Sequence, residues 1–374
     1  MNIVVNGRFS RYKTGVGRVI ENYLRQLSRI DDRNVYYIYV NREFRDLLRF
    51  ENRNFVVLSN GVSAGNMWMN HLWTQTGFLR AIRKHGADLV LLPQINLILW
   101  KRAPILLFQH DLIEYHFASQ KWYRMWFRRF AIPRAVRLAD RIVSVSHNTA
   151  QDIEKFLEVP SEKVVTIYSG VDPEHLRPRD PAQAASLVRD RYGLQGEFIL
   201  YVGTLTLPQK NLLRLLEAFQ LVRERGFRGK LLMAGAMGKD SRLIPERVAE
   251  LGLEHEVLLP GYVDDDDLPY LYSAARVFCF PSLYEGLGMP VLEAMACGCP
   301  VVTSNVSSLP EVAGDAARLV DPHDPRAIAE ALMEILSSDQ VRRELIGKGL
   351  ERARQFSWER AARQLLEVIN SFAP

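Results

Sequence analysis

The sequence predicts an α/β chain built from two doubly wound domains of similar size with a cleft between them. Short β-branched and aromatic runs alternate with amphipathic stretches along the whole chain, and the plan occurs twice. Between the two occurrences, Pro173, Pro178 and Pro181 crowd among charges, which reads as a linker. Such alternation produces parallel sheets joined by crossover helices. The 374 residues suit two domains, and a folded chain of this size buries roughly 75% of the surface its unfolded form exposes.

In the first half, strands are expected at 3–5, 35–40, 55–58, 88–92, 105–108, 142–145 and 164–167, with helices such as 16–28 and 149–157 between them. In the second half they are expected at 198–202, 230–234, 257–259, 277–280, 300–303 and 318–320. The second-half runs are apolar and rich in β-branched or aromatic residues, as strands covered on both faces are. Leu212, Leu215, Leu216, Phe219 and Val222 recur at helical spacing, and that helix stops at Gly226. Open parallel sheets bind ligands beyond the carboxyl ends of their strands, so functional residues belong in post-strand loops.

Composition narrows the class. Apolar residues make up 48% and charged residues 24%, which excludes a disordered, collagenous or disulfide-framework chain. Cys279, Cys297 and Cys299 are odd in number, set in apolar text and without a histidine cluster, as in a reduced cytoplasmic compartment. The start of the chain reads as a strand rather than a signal peptide. The most apolar stretch, 89–100, is too short to span a bilayer. Residues 1–175 hold 25 Lys/Arg against 16 Asp/Glu, and the remainder 23 against 27. The basic first half points to an anionic partner such as a lipid head group, a phosphate-bearing ligand or nucleic acid, or else to no more than a soluble surface.

The strongest local signal runs from Tyr284 to Ala294. A strand ends near Pro281, a glycine-bearing loop follows, and Pro290 stands where a helix begins. The amides of Gly286, Leu287, Gly288 and Met289 then lie at a helix N-terminus, a ready anion site. Glu285 and Glu293 flank it. Carboxylates accept hydrogen bonds from vicinal hydroxyls, so two of them beside a phosphate site fit a sugar nucleotide; acidic capping of the helix is the alternative.

Glu285 to Glu293 resembles the Glu-x7-Glu motif of the retaining glycosyltransferases of family four, which have the GT-B fold of two facing Rossmann-like domains. The text at 294–302, His147-Asn148-Thr149, Tyr168 to Asp172 and Phe356 to Glu359 are similar to that family too. The resemblance implies that Glu285 contacts the transferred sugar, that Glu293 holds the nucleotide ribose and that the Gly286–Met289 amides meet the diphosphate. It places an acceptor-side domain at 1–173, a nucleotide-sugar domain at 174–356, and a last helix, 357–374, that crosses back onto the first domain.

A second signal follows the strand at 198–202. Gly203 and Thr204 begin a loop in which Lys210 stands just before a helix, placed to neutralise a leaving diphosphate or merely solvated. Lys210 matches the family's diphosphate-binding lysine. The arginine common in that loop is replaced by Thr204 or Gln209, and the loop is one residue longer than the usual form. In the first half, Gly15 and Gly17 open a helix. Ile20 replaces the third glycine of a dinucleotide fingerprint, so a nicotinamide site is disfavoured. The pair resembles the family's glycine-rich loop facing the diphosphate and sugar; a simple turn is the alternative. His110 follows the strand at 105–108 and resembles the family histidine beside the donor sugar, able to donate to a hydroxyl or share charge with Asp111; a structural histidine is the alternative.

The four aspartates at 264–267 fit a helix cap rather than a metal site, and Cys297 with Cys299 fits packing. The helix expected at 121–130 mixes Trp122, Trp126 and four arginines or lysines, suiting either a bilayer interface or a cover for the sheet. Acceptor-shaping loops are expected at 59–73 and 114–126.

The resemblance therefore implies a metal-free retaining hexosyltransferase, with no cofactor beyond its sugar-nucleotide substrate. The Asn6-Gly7-Arg8 opening, His110-Asp111-Leu112 and Pro208-Gln209-Lys210-Asn211 look most like mannosyl- and rhamnosyltransferases of bacterial surface polysaccharide assembly, which makes GDP-mannose the favoured donor. The expected acceptor is a glycan or lipid-linked glycan. The expected location is cytoplasmic, with peripheral contact to an anionic membrane surface and no nucleic-acid partner. A UDP-sugar enzyme of the same fold, or a sugar-nucleotide epimerase, is the alternative.

Overall fold

In the computed structural model, which describes residues 1–8, 15–95, 98, 100–117 and 125–373, every strand pair is parallel. The chain forms two compact units, one of 1–170 with 358–374 and one of 171–357. The first holds β1 (Asn2–Asn6), β2 (Val35–Val40), β3 (Phe55–Ser59), β4 (Leu89–Leu92), β5 (Ile105–Gln109), β6 (Arg141–Ser144) and β7 (Val164–Thr166), in the order β3-β2-β1-β4-β5-β6-β7. The second holds β8 (Phe198–Val202), β9 (Lys230–Ala234), β10 (Val257–Gly261), β11 (Val277–Phe280), β12 (Val301–Ser304) and β13 (Arg318–Val320), in the order β10-β9-β8-β11-β12-β13.

The central strands β4, β5, β11 and β12 are buried at every residue, which explains their largely apolar text, broken only by Gln109, Thr303 and Ser304 at the carboxyl ends of β5 and β12. In both sheets the winding reverses beside the first strand, between β1 and β4 and between β8 and β11. Loops on the two sides of such a point diverge and leave a crevice at the carboxyl ends of the strands. In the second unit the crevice also needs glycine. Gly203, at φ +154°, ends β8, and a Cβ on Gly235 would lie 1.9 Å from the Gly203 carbonyl oxygen, so two backbones meet where no side chain fits.

The stretch from Asp172 to Pro181 is not a free linker. His175 Nε2 donates to the Asp265 carbonyl at 3.0 Å, the Arg179 N–H donates to Ser273 Oγ at 3.0 Å, and the Arg179 guanidinium lies 5.3 Å from the Tyr270 ring centre. These contacts strap the stretch onto the second unit, so its prolines shape a packed segment. The chain crosses between units at Gly170/Val171 and at Ser357/Trp358. Of the loop expected at 59–73, part is the helix Met67–Gln75, capped by Asn66.

The helix Trp358–Asn370 packs on the helix Gly15–Ile30 within the first unit. Trp358, Ala361, Ala362, Leu365 and Ile369 are buried, and Trp358 meets Tyr23 edge-on with ring centres 5.3 Å apart. No helix among the described residues is long and apolar enough to cross a membrane. Leu365→Ala removes a fully buried side chain from this seam and is expected to destabilise the first unit by about 2–5 kcal/mol. In denaturant unfolding followed by amide exchange, the transition of the first unit should move while that of the second stays in place.

Candidate functional site

The second unit brings Lys210 and Glu285 together at its switch point. Lys210 lies in the loop after β8 and Glu285 in the loop after β11, and Nζ stands 2.6 Å from Oε1. Their side chains are 15% and 11% exposed, so the pair is largely withdrawn from water. Lys210 Nζ also lies 5.2 Å from the centre of the Phe280 ring.

The two loops are fastened by neighbours of the pair. The Leu283 N–H donates to the Gln209 carbonyl at 2.8 Å, and Gln209 Nε2 donates to the Tyr284 carbonyl at 2.9 Å. Gln209 thus ties the loops and brings no charge. Asn211 adopts a left-handed backbone at φ +58°, and its buried Nδ2 donates to the carbonyls of Pro281 at 3.0 Å and Pro322 at 2.6 Å. A third loop holds the peptide of Glu285. Ser307 Oγ accepts from the Glu285 N–H at 3.1 Å and donates to the Glu285 carbonyl at 2.8 Å, and Ser308 Oγ donates to the same carbonyl at 3.0 Å. Ser307 itself sits at φ +59°, the kind of backbone strain that accumulates at functional sites.

Beyond Glu285 the loop reaches Gly288, at φ +97°, where a Cβ would come within 2.7 Å of Leu309 Cδ2. The helix Met289–Ala296 begins there. Its first-turn N–H groups have no carbonyl partner inside the helix and carry the positive end of its dipole. Glu293 follows on that helix, and the fully buried Tyr272 donates its hydroxyl to Glu293 Oε2 at 3.1 Å. Burial, with Glu293 adding to it, pushes the Tyr272 phenol well above the ordinary tyrosine range and keeps it a donor. Thr204 is exposed at the start of the β8 loop.

The remaining predicted residues belong to the first unit. Gly15 and Gly17 lie in the first turn of the helix Gly15–Ile30. His110 follows β5 half-buried, with its Nε2 2.7 Å from the Pro93 carbonyl. A carbonyl only accepts, so Nε2 carries the proton. Burial holds the imidazole below its ordinary pKa, so it is neutral near pH 7 and presents Nδ1 as an acceptor. The expected donation from His110 to a sugar hydroxyl is therefore corrected: its proton is already committed.

Asp267 was expected to cap the helix Leu268–Ala274, but its side chain makes no cap bond. Its oxygens take Arg191 Nη1 at 2.5 Å and the Tyr192 hydroxyl at 2.6 Å, tying two helices together. Among the described residues no group of His, Cys, Asp and Glu could hold a metal ion. Cys297 and Cys299 are buried, with thiols pushed well above the ordinary range, as packing residues are. Of the segment at 121–130, Lys121 to Arg124 lie outside the described residues; beyond a π turn at Phe127–Ala131, Ile132–Leu138 is helical.

Residues 13–175 match the family described as Glycosyltransferase Family 4, and residues 189–352 match Glycosyl transferases group 1. The chain belongs to the family-four glycosyltransferases. Among similar family proteins, the O-antigen chain mannosyltransferase B of Escherichia coli is 39% identical over 232 residues, covering 62% of this chain and 60% of that protein. The serotype-specific mannosyltransferase WbdA of Escherichia coli is 33% identical over 246 residues, covering 64% of this chain and 30% of that protein. The matches thus span about 60% and 30% of the lengths of these relatives. Sucrose-phosphate synthase of Thermosynechococcus elongatus superposes with a TM-score of 0.79 at 21% identity, covering 99% of this chain and 98% of that one. That likeness is one of fold, the GT-B fold.

The sequence reading missed Asn211, Ser307, Ser308 and Tyr272. Ser307 and Ser308 follow a strand, which is a usable signal, but the fastening roles of Asn211 and Tyr272 depend on partners dozens of residues away.

Removing one member of a buried ion pair strands the other, at about 3–5 kcal/mol. Glu285→Gln and Lys210→Met should each destabilise the second unit, and the double variant should cost clearly less than their sum in a double-mutant cycle read by denaturant unfolding. An additive result would show that the pair is not coupled. For His110, an unfolded chain near pKa 6.5 binds a proton that the folded site refuses, so its contribution to stability falls as pH drops through about 6.5. Between pH 7.5 and 5.5, His110→Gln should lose less melting temperature than the parent chain.

Proposed function

We propose that this chain is a retaining mannosyltransferase that moves mannose from GDP-mannose to a glycan or lipid-linked glycan in the assembly of a surface polysaccharide. The observation that carries the reading is the Lys210–Glu285 pair beside the start of the helix Met289–Ala296, with Glu293 on that helix. A cation and a helix N-terminus are the two elements that receive a diphosphate, and two carboxylates are what receive sugar and ribose hydroxyls. The names of the similar mannosyltransferases support the sugar.

In this reading the diphosphate draws Lys210 away from Glu285, and Glu285 then takes a hydroxyl of the transferred sugar. Glu293, held by Tyr272, takes the ribose. Lys210 and the amides at Gly286, Leu287, Gly288 and Met289 meet negative charge as it develops on the departing phosphate, where preorganised donors act most strongly. The acceptor hydroxyl attacks from the face that the phosphate leaves, and the phosphate oxygen takes its proton. Positive charge comes from Lys210 and the helix start, so the reading has no metal in it. Gly203 and Thr204 line the donor side by backbone approach, while Gly15, Gly17 and His110 serve from the first unit. Met125, Trp126 and Phe130 stand about half exposed beside Arg128 and Arg129, which supports peripheral contact with the anionic inner face of a membrane and a cytoplasmic location.

Thermal-shift titration with GDP and UDP, each with EDTA and then magnesium, tests the donor. Ligand at a hundred times its Kd stabilises by about 2.7 kcal/mol, a rise of a few degrees. The expected result is a rise with GDP that EDTA leaves unchanged. A rise with UDP alone replaces the donor and keeps the chemistry; no rise with either removes the donor site. Glu285→Gln should bind GDP at least as tightly, since Lys210 loses its competitor, yet fall at least a hundredfold in mannosyl transfer.

A further inference from the structure

Within the second unit, a groove of about 330 Å³ opens beside the last turn of the helix Asp339–Arg354. None of the residues placed in the donor site lines it. Of its lining, Val171, Leu176, Ala296 and Ala353 are buried, and Pro178 and Leu350 continue the apolar surface. No acidic side chain is among the lining residues. The walls are fixed. The ties of His175 to Asp265 and of Arg179 to Ser273 bracket Leu176 and Pro178, and Arg352 anchors the helix end by donating to the carbonyls of Glu311 and Val312. At this volume the groove stands at the small end of ligand pockets, which begin at ~300 Å³.

Two arginines, Arg177 and Arg354, also line the groove, and both are exposed. The arginines next to them in the chain are already engaged. Arg179 donates through Nη2 to the His175 carbonyl at 2.8 Å, and the Arg352 guanidinium lies 5.0 Å from the centre of the Phe356 ring. Arg177 and Arg354 make no hydrogen bond or ion pair with any described residue. Residues 176–374 hold 23 Lys/Arg against 27 Asp/Glu, so an unpaired guanidinium here is not the by-product of a basic surplus. A guanidinium meets phosphate or carboxylate through two parallel hydrogen bonds. A bare anion would leave the apolar lining uncovered, and a neutral hydrocarbon would leave the guanidiniums unmatched. What the groove suits is a ligand with one anionic head and a compact hydrocarbon body. Among the described residues, the large apolar side chains that the second unit exposes are Met237, Tyr262 and Leu319, and none of them lines the groove. It therefore has no apolar rim with which to enter a bilayer, and its ligand comes from solution.

We propose that this groove is a second ligand site, for a small dissolved amphiphile whose phosphate or carboxylate head meets Arg177 and Arg354 and whose hydrocarbon chain covers Leu176, Ala296, Leu350 and Ala353. The proposal rests on no part of the transferase reading.

The test is isothermal titration calorimetry of the full chain with butyl, hexyl and octyl phosphate, each below its micelle concentration. Affinity should rise with chain length, by up to about fourfold for each CH₂ that reaches the groove. Inorganic phosphate and octanol should each bind at least roughly tenfold more weakly than octyl phosphate. Arg177→Gln and Arg354→Gln, changes at exposed positions, should each weaken octyl phosphate about fivefold with little change in melting temperature. Silence from octyl phosphate overturns the proposal, as does equal affinity along the chain-length series or octanol that binds as tightly as its phosphate. Octyl phosphate binding that neither arginine variant weakens places the anion elsewhere and overturns it as well. Capture by vesicles containing phosphatidate, without binding of octyl phosphate, assigns the groove to a membrane and does the same.

Discussion

A lysine and a glutamate withdrawn from water are each too costly to bury alone, and much of the second unit is arranged to keep them together. Desolvation of either ion costs several kcal/mol, and only close pairing with well-placed hydrogen bonds offsets it. Lys210 and Glu285 come from loops 75 residues apart in the chain. They meet because β8 and β11 are neighbours in the sheet while their crossovers leave in opposite directions. Asn211, Gln209 and Ser307 then pin the backbone on either side, so the pair is held by main-chain bonds as well as by its own attraction.

The same constraint explains how the site can act. A pair held together by attraction alone would be lost when a more highly charged anion arrived. Here the bonds from Asn211, Gln209 and Ser307 do not involve the Lys210 side chain, so the proposed exchange of Glu285 for a diphosphate would not require them to break. Preorganisation of this kind lets a site stabilise developing charge without reorganising at the moment of reaction. Both glutamates are held from a neighbouring element: Tyr272 donates to the carboxylate of Glu293, while Ser307 and Ser308 hold the peptide of Glu285.

The first unit follows the same sheet plan with different polarity. After β5 the chain places Gln109, His110 and Asp111, whereas in the second unit the loops after β8 and β11 carry a cation and a helix start. Loops on the same strand plan can thus carry different chemistry, because the strand order makes only the crevice and the side chains supply its charge.

Much of this was legible in the sequence. Strands β2, β8, β9, β11 and β13 fall on the residues their runs predicted, and for β11, buried at every residue, the reason is that a strand covered on both faces must be apolar throughout. The glycines and Pro290 marked the loop and helix start for a similarly local reason: backbone geometry near +φ and at the first helical turn admits few residue types. What the sequence could not state was pairing across distance. The proline-rich stretch from Asp172 to Pro181 read as a linker because its ties, to Asp265 and Ser273, lie some ninety residues on. Asp267 read as a cap because Arg191 and Tyr192 are remote in the chain. His110 read as a donor because the carbonyl that takes its proton belongs to Pro93, after a different strand. Local composition determined the elements and the residue types in each loop. Only the tertiary structure decided which buried polar atom met which partner, since that choice depends on strand order, and strand order is a property of the folded sheet.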